Sequence, residues 1–267
     1  IPFVIEDVIG CGGSCIVYRS KKESGICDNK FSRTQIIKEF YPLSIHSIVR
    51  NGYNLDVPEC DCAQFAELEE IFCGSISKYI QYYEIDSNYV NVRPFWYGTA
   101  NGTSYAVSDP TKGVTLSDLE KDNLTLFNIA QIMYSVCSAI QMFHNQGLLY
   151  LDCKPDNIFL CNVDKQYHVQ LFDFDTVTSI SDIKAGKCVY KTYSQGWAPG
   201  EQQSWRIDEI GRETDIYSIG AVFFYLLTGE KPIKNDIRKI IDNKFLWHIR
   251  SPILANASGA AIQTIQR

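Results

Sequence analysis

The stretch Tyr150-Leu151-Asp152-Cys153-Lys154-Pro155-Asp156-Asn157 sets a carboxylate, an ammonium and a carboxamide at i, i+2 and i+5 of one tight segment. Phosphoryl transfer uses such a set. An Asp orients an attacking hydroxyl and accepts its proton, a Lys neutralises the moving phosphate, and an Asn offers its carbonyl oxygen to a metal. Pro155 stiffens the turn between them. The competing reading is a polar connection between helix and strand, because Asp and Asn are common turn formers.

Those residues need elements to position them. Upstream, Ile129, Met133, Val136, Ile140 and Phe143 recur at helical spacing until Gly147 stops them, which predicts a core helix leading into the loop. Downstream, Ile158 to Leu160 and His168 to Phe172 read as two short strands, the second ending in Asp173-Phe174-Asp175. An acid at that strand end is a natural Mg²⁺ ligand, with a solvated turn Asp as the alternative. Residues 176 to 197 form a polar loop too long for a mere connection, of the kind that binds or gates. Gly196-Trp197-Ala198-Pro199-Gly200-Glu201 follows, and then Thr214 to Leu227, a helix apolar nearly all round and therefore buried. Asp215 in its first turn either caps that helix or reaches out to brace the Tyr150 loop.

The start of the chain is β-rich. Phe3-Val4-Ile5 and Cys15-Ile16-Val17-Tyr18 flank a glycine turn, Ile9-Gly10-Cys11-Gly12-Gly13-Ser14. A dinucleotide fold needs such glycines to open a helix, and a Walker loop needs Gly-Lys-Ser/Thr. Neither is present. What remains is a GxGxxGxV-type flap with Gly10, Gly12 and Val17, or a plain hairpin. Gln35-Ile36-Ile37-Lys38 is a strand ending in a lysine, followed by a polar connection from His46 to Pro58. A helix is predicted from about Asp61 to Glu84, with Phe65, Phe72, Ile76 and Tyr83 on one arc and Glu69 inside it. A carboxylate on an apolar face needs a partner, and Lys38 is the candidate. Strands resume at Tyr89 to Trp96 and Ser104 to Val107, before a Pro/Gly-punctuated break from Ser108 to Gly113. The domain boundary falls there, dividing 1–109 from 110–267.

Composition narrows the class. The 267 residues are 45% hydrophobic and 13% aromatic, enough for one large or two small packed domains. A net charge of -6 and a pI near 5.3 argue against a nucleic-acid or anionic-membrane surface. No run of apolar residues reaches membrane-spanning length, and no signal peptide is visible. The ten cysteines are scattered without zinc spacing, so reduced thiols are expected.

Taken in order, Gly10/Gly12/Val17, Lys38, Asp152/Lys154/Asn157, Asp173-Phe174, Ala198-Pro199 with Glu201, and Asp215 resemble the eukaryotic-type (Hanks-type) protein kinase family, in its bacterial Ser/Thr branch. The resemblance covers almost the whole chain. It implies an α+β, bilobal fold: a β-rich N-lobe with one long helix and a mainly α-helical C-lobe. It implies a Mg-ATP-dependent Ser/Thr protein kinase in the cytoplasm, with ATP and Mg²⁺ or Mn²⁺ as cofactors and a Ser/Thr-bearing protein as substrate. Lys38 would hold the α/β-phosphates and pair with Glu69. Asp152 would be the catalytic base, Lys154 the charge stabiliser, and Asn157 and Asp173 the metal ligands. Gly10, Gly12, Val17, Ile36, Asp109, Thr111 and Phe159 would surround the nucleotide, with Ser108 at the back of its pocket. Ser194 matches the residue that contacts the base and lysine from the substrate side.

Departures from the family pattern carry their own expectations. Tyr150-Leu151 replaces His-Arg before the base, so no guanidinium waits for an activation-loop phosphate. Asp175 replaces the glycine after Asp173-Phe174, and Ile36 stands where a small residue usually covers adenine. The chain ends inside what reads as a late C-lobe helix, as expected of an excised or truncated catalytic region. Two rival readings follow: a pseudokinase that binds nucleotide or acts as a scaffold, and a small-molecule kinase of the aminoglycoside or choline type.

Overall fold

The computed structural model describes residues 3–23, 32–89, 94–110, 113–120, 124–163, 166–187 and 193–233, together with Ile253. The chain divides into two compact units, Ile1–Lys112 and Gly113–Arg267, a few residues beyond the boundary expected from the Pro/Gly break.

In the first unit β1 (Phe3–Cys11), β2 (Cys15–Glu23) and β3 (Ser32–Phe40) form an antiparallel meander. The short β4 (Val49–Asn51) and β5 (Asn54–Asp56) pair with each other. The long α1 (Cys62–Ile85) follows, then β6 (Pro94–Ala100) and β7 (Thr103–Ser108), which complete a five-stranded sheet in the order β1-β2-β3-β7-β6. The His46–Pro58 stretch is therefore not a plain connection. Gly52, at φ 62°, turns it into a hairpin whose residues are exposed apart from Leu55. Leu55 plugs into a core with Phe40, Ile45, Ile48, Phe65, Phe72, Ile76 and Ala106. Ring pairs Phe40–Phe65 and Phe40–Phe72, at 5.0 and 5.4 Å, tie α1 to the end of β3.

Helix α1 begins and ends within a residue of the expected limits, but its C-terminal buried face differs. Tyr82, not Tyr83, is buried, together with Ser75. At about 100° per residue these two lie side by side, roughly 90° round from the Phe65–Ile76 row. The covered face of a helix is set by what it packs on, and here that changes along its length. The sixth strand is described from Pro94 onward, and residues 90–93 of the strand expected over Tyr89 to Trp96 lie outside the described residues.

The second unit holds β8 (Val114–Thr115), α2 (Leu126–Asn145), β9 (Leu148–Leu149), β10 (Ile158–Val163), β11 (Gln166–Leu171), β12 (Thr178–Ser179), α3 (Ile180–Lys184), α4 (Gly200–Gln203) and α5 (Arg212–Thr228). Helix α2 opens with a capping box. Thr125 accepts from the Asn128 amide and Asn128 from the Thr125 amide. It closes at Gly147, φ 72°, whose amide bonds the His144 carbonyl. By length and composition α2 is apolar enough to cross a membrane, which the sequence reading did not anticipate. Here its Ile129, Ile132, Val136 and Ala139 side chains are fully buried, and it packs on β11 and α5. The described part of the polar loop after Asp175 includes β12, which pairs with β9, and α3, whose Ile183 packs on Leu149 and Leu151.

Candidate active site

In the second unit Tyr150 and Leu151 leave β9 and lead into a 3₁₀ turn at Pro155–Asn157, where Pro155 occupies the first position. Asp152, between them, gathers three side-chain donors. Its Oδ1 accepts the Ser194 hydroxyl at 2.6 Å, and its Oδ2 accepts Lys154 Nζ at 2.6 Å and Asn157 Nδ2 at 2.7 Å. Lys154 also donates to Ser194 Oγ at 3.0 Å, so the three groups close a ring around the carboxylate. Asn157 Nδ2 donates to the Asp152 carbonyl as well, at 3.0 Å, which commits its amide nitrogen inward and leaves its carbonyl oxygen as the outward acceptor. The residues singled out at i, i+2 and i+5 thus converge, and Ser194, 42 positions later, joins them.

A second set of groups fixes the backbone under this ring. Asp215 is fully buried. It accepts the Tyr150 and Leu151 amides at 2.9 and 2.8 Å and bonds His144 Nε2 at 2.8 Å. Of the two roles read for Asp215, it takes the bracing one. Gln202 Nε2 donates to the Leu151 carbonyl at 2.6 Å, and Arg212 Nη2 caps α2 by donating to the His144 carbonyl at 2.8 Å. Neither Gln202 nor Arg212 nor His144 was singled out from sequence, and their spacing from the loop contains no signal that would single them out. Cys153 is buried beside Asp152, and burial pushes its thiol pKa well above the usual value, which keeps it neutral.

Tyr150 is the packing hub. It is wholly buried, its ring lies 5.7 Å from Phe143 and 6.2 Å from Phe174, and its hydroxyl donates to the Phe172 carbonyl. Thr176 donates to the Tyr150 carbonyl at 2.8 Å. The Asn157 carbonyl accepts the Phe172 amide at 3.2 Å, which continues the β10–β11 pairing and delivers Asp173 next to the Asn157 turn. Asp173 itself has φ 63°, a backbone conformation uncommon for residues other than glycine and held here by its fixed neighbours. Phe159 sits on β10 opposite Thr115, with its ring 5.3 Å from Phe172. Gly113 passes so close that a Cβ there would lie 3.0 Å from the Phe159 ring and 2.2 Å from the Leu160 carbonyl oxygen. Glu201 accepts from Thr214 Oγ1 at 3.3 Å.

The first unit contains the remaining candidates. Gly10 pairs with Val17 across the β1–β2 hairpin, and the glycine turn is anchored by Tyr41 N to Ser14 O and Leu43 N to Gly13 O, both 2.9 Å. Ile36 lies opposite Ser108 in the β3–β7 ladder, and Asp109 follows as an exposed residue. Thr111 is outside the described residues. Lys38 is half-buried with Nζ 5.7 Å from the Phe72 ring centroid. Glu69, one helical turn before Phe72 and on the same side of α1, accepts the Ser104 hydroxyl at 2.7 Å.

A sheet-rich unit with one long helix, followed by a helical unit that carries a braced Asp-x-Lys-x-x-Asn turn, defines a protein-kinase fold. The solved structure of PpkA-294 in its apo form has this fold, with a TM-score of 0.64 and 25% identity, covering 99% of this chain and 88% of that one. Residues 76–265 match the protein kinase domain family, and the chain belongs to it. A probable serine/threonine-protein kinase PknB of Bifidobacterium longum is 29% identical over 168 residues, covering 61% of this chain and 23% of that protein. The serine/threonine-protein kinase PknB of Mycobacterium tuberculosis is 28% identical over 139 residues, 49% of this chain and 21% of that protein. The serine/threonine-protein kinase ppk16 of Schizosaccharomyces pombe is 34% identical over 120 residues, 43% and 17% respectively. The chain thus matches about a fifth of the length of these curated relatives.

Proposed function

We propose that this chain is a catalytic region that transfers the γ-phosphoryl group of Mg-ATP to Ser or Thr hydroxyls of protein substrates. The observation that carries the proposal is the ring around Asp152: a half-buried carboxylate aimed by Lys154, Asn157 and Ser194 on a loop that Asp215 holds rigid. Preorganisation of this kind is what phosphoryl transfer asks of a protein, because positioning and electrostatics supply most of the acceleration.

In this reading the substrate hydroxyl takes the place of Ser194 at Asp152 Oδ1, which orients it and receives its proton. Lys154, already bridging Asp152 and Ser194, puts its ammonium beside the transferring group. Asn157 Oδ1 and the Asp173 carboxylate are hard oxygen donors that suit Mg²⁺ or Mn²⁺, and the inward commitment of Asn157 Nδ2 fits that role. Such an ion, when bound, neutralises charge on the phosphates. By the family resemblance, Lys38 with Glu69 would hold the α/β-phosphates, and Gly10, Gly12, Val17, Ile36, Asp109, Thr111 and Phe159 would be the nucleotide-binding positions. Helix α2 is read as a core helix rather than a membrane span, because Ile129, Ile132, Val136 and Ala139 are fully buried where it packs on β11 and α5. A cytoplasmic setting, where ATP is available, agrees with the free thiols of the eight described cysteines.

Transfer of label from γ-labelled ATP to a generic protein tests the proposal, with Asp152→Asn as control. Incorporation on Ser and Thr that the variant loses is expected. ATP binding without transfer in Mg²⁺ or Mn²⁺ would indicate a pseudokinase, and transfer to a small alcohol but never to protein a small-molecule kinase.

A further inference from the structure

The first unit contains a cavity of about 780 Å³ lined by the sheet and by the tip of the β4–β5 hairpin. Its floor includes Ile37 and Val107, and Trp96 and Tyr53 stand at its sides. Set into this apolar surface is one polar cluster. Glu39, 1% exposed, accepts from Tyr18 Oη at 2.6 Å, Tyr105 Oη at 2.7 Å and Arg50 Nη2 at 2.8 Å. Glu39 follows Lys38 on β3, so alternation along the strand turns it to the opposite face from the proposed phosphate-binding lysine.

The wall is built rather than draped. Leu55 of the hairpin donates its amide to the Asn101 carbonyl at 2.8 Å and buries its side chain, and Gly102 lets the strands approach so closely that a Cβ would meet the Leu55 oxygen at 2.5 Å. Trp96 lies against the Gly98 backbone, where a Cβ would meet its ring at 3.1 Å, and keeps 43% of its surface exposed. Tyr53 is 87% exposed at the hairpin tip. Neither ring is needed for the core.

We propose that this cavity is a binding site for a small aryl anion, whose ring system lies between Trp96 and Tyr53 and whose carboxylate or sulfonate meets Arg50. The volume and the mostly apolar lining with one polar cluster are those of small-molecule sites. The sign of the ligand follows from donor accounting. Both Glu39 oxygens are occupied by three donors, which leaves little for a cation. The Arg50 guanidinium carries five N–H donors, and its described hydrogen bond uses only Nη2, towards Glu39. The guanidinium also holds its charge at working pH: burial works against it, but the Glu39 hydrogen bond and charge outweigh burial, and the Arg50 pKa rises.

The test titrates the full chain with 1-anilinonaphthalene-8-sulfonate and with N-phenyl-1-naphthylamine, its analogue lacking the sulfonate, in saturating Mg-ATP. Saturable one-to-one binding of the sulfonate is expected, at least tenfold tighter than the neutral probe. Arg50→Met should remove that preference. Ala100→Trp, at an exposed lining position, should weaken both probes at least tenfold with an unchanged melting temperature. If Arg50→Met fails to fold, Tyr53→Ala replaces it, and a loss of affinity of at least threefold for both probes is expected. Absence of saturable binding, displacement by ATP, equal affinity for the two probes, or indifference to Ala100→Trp overturns the proposal.

Discussion

Asp215 Oδ1 accepts the amide of Leu151 at 2.8 Å, and Leu151 has φ 62°. A γ-branched residue in the left-handed region persists only where its surroundings over-determine it. The Asp215 carboxylate on the amide side and Gln202 on the carbonyl side do so. Removing the carboxylate leaves two buried amides and an imidazole without an acceptor. Asp215→Ala should therefore destabilise the protein by about 2–4 kcal/mol, and Asp215→Asn, which keeps one acceptor oxygen, by less. Denaturant unfolding checks both, and Asp215→Asn should lose more turnover than stability because the Asp152 backbone shifts.

Leu151 also stands where the family pattern puts an arginine, and it is buried against Ile183 and Ile210. With no guanidinium there, a phosphate on the 176–197 loop has no cation waiting at this position. Phosphatase treatment should leave transferase activity within about twofold of the untreated protein, an estimate that follows from the missing charge pair. Mass spectrometry of the loop before and after treatment makes the comparison interpretable.

Lys38 and Asp173 carry the parts of the account that lie outside the Asp152 ring. Lys38→Met and Asp173→Ala should each abolish turnover while leaving circular dichroism and the melting temperature near those of the parent. Full activity in either contradicts the roles proposed for them.

Tyr82 gives the fold an alkaline signature. Burial pushes its pKa from 10.0 up to about 12. The folded state then holds the phenol proton more tightly than the unfolded chain does. Its contribution is fully present below pH 10.0 and is lost as the pH rises towards 12. The melting temperature should fall between about pH 10 and pH 12, the window between the unfolded and folded values, and Tyr82→Phe should fall less over the same interval.

Much of this was legible in the residues, and the rest was hidden for identifiable reasons. The Asp152, Lys154 and Asn157 set is local, so its convergence follows from one tight turn. Ser194 lies 42 positions away from Asp152, and the family pattern rather than spacing pointed to it. Asp215 could not be decided between capping and bracing because its partners, Tyr150 and Leu151, are 65 and 64 positions distant. The β4–β5 hairpin escaped because its residues are exposed apart from Leu55, so no apolar alternation marks its strands. Tyr82 and Tyr83 are adjacent on α1, and only the packing partner decides which is covered.

The most direct test of the central claim compares Mg-ATP affinity and turnover in Asp152→Asn. The amide keeps the size of the side chain but cannot take a proton. Calorimetry should give an affinity for Mg-ATP within about threefold of the parent, while phosphoryl transfer to protein Ser and Thr falls by about 10²–10⁴. Undiminished transfer by the variant would contradict the assignment of Asp152 as the base.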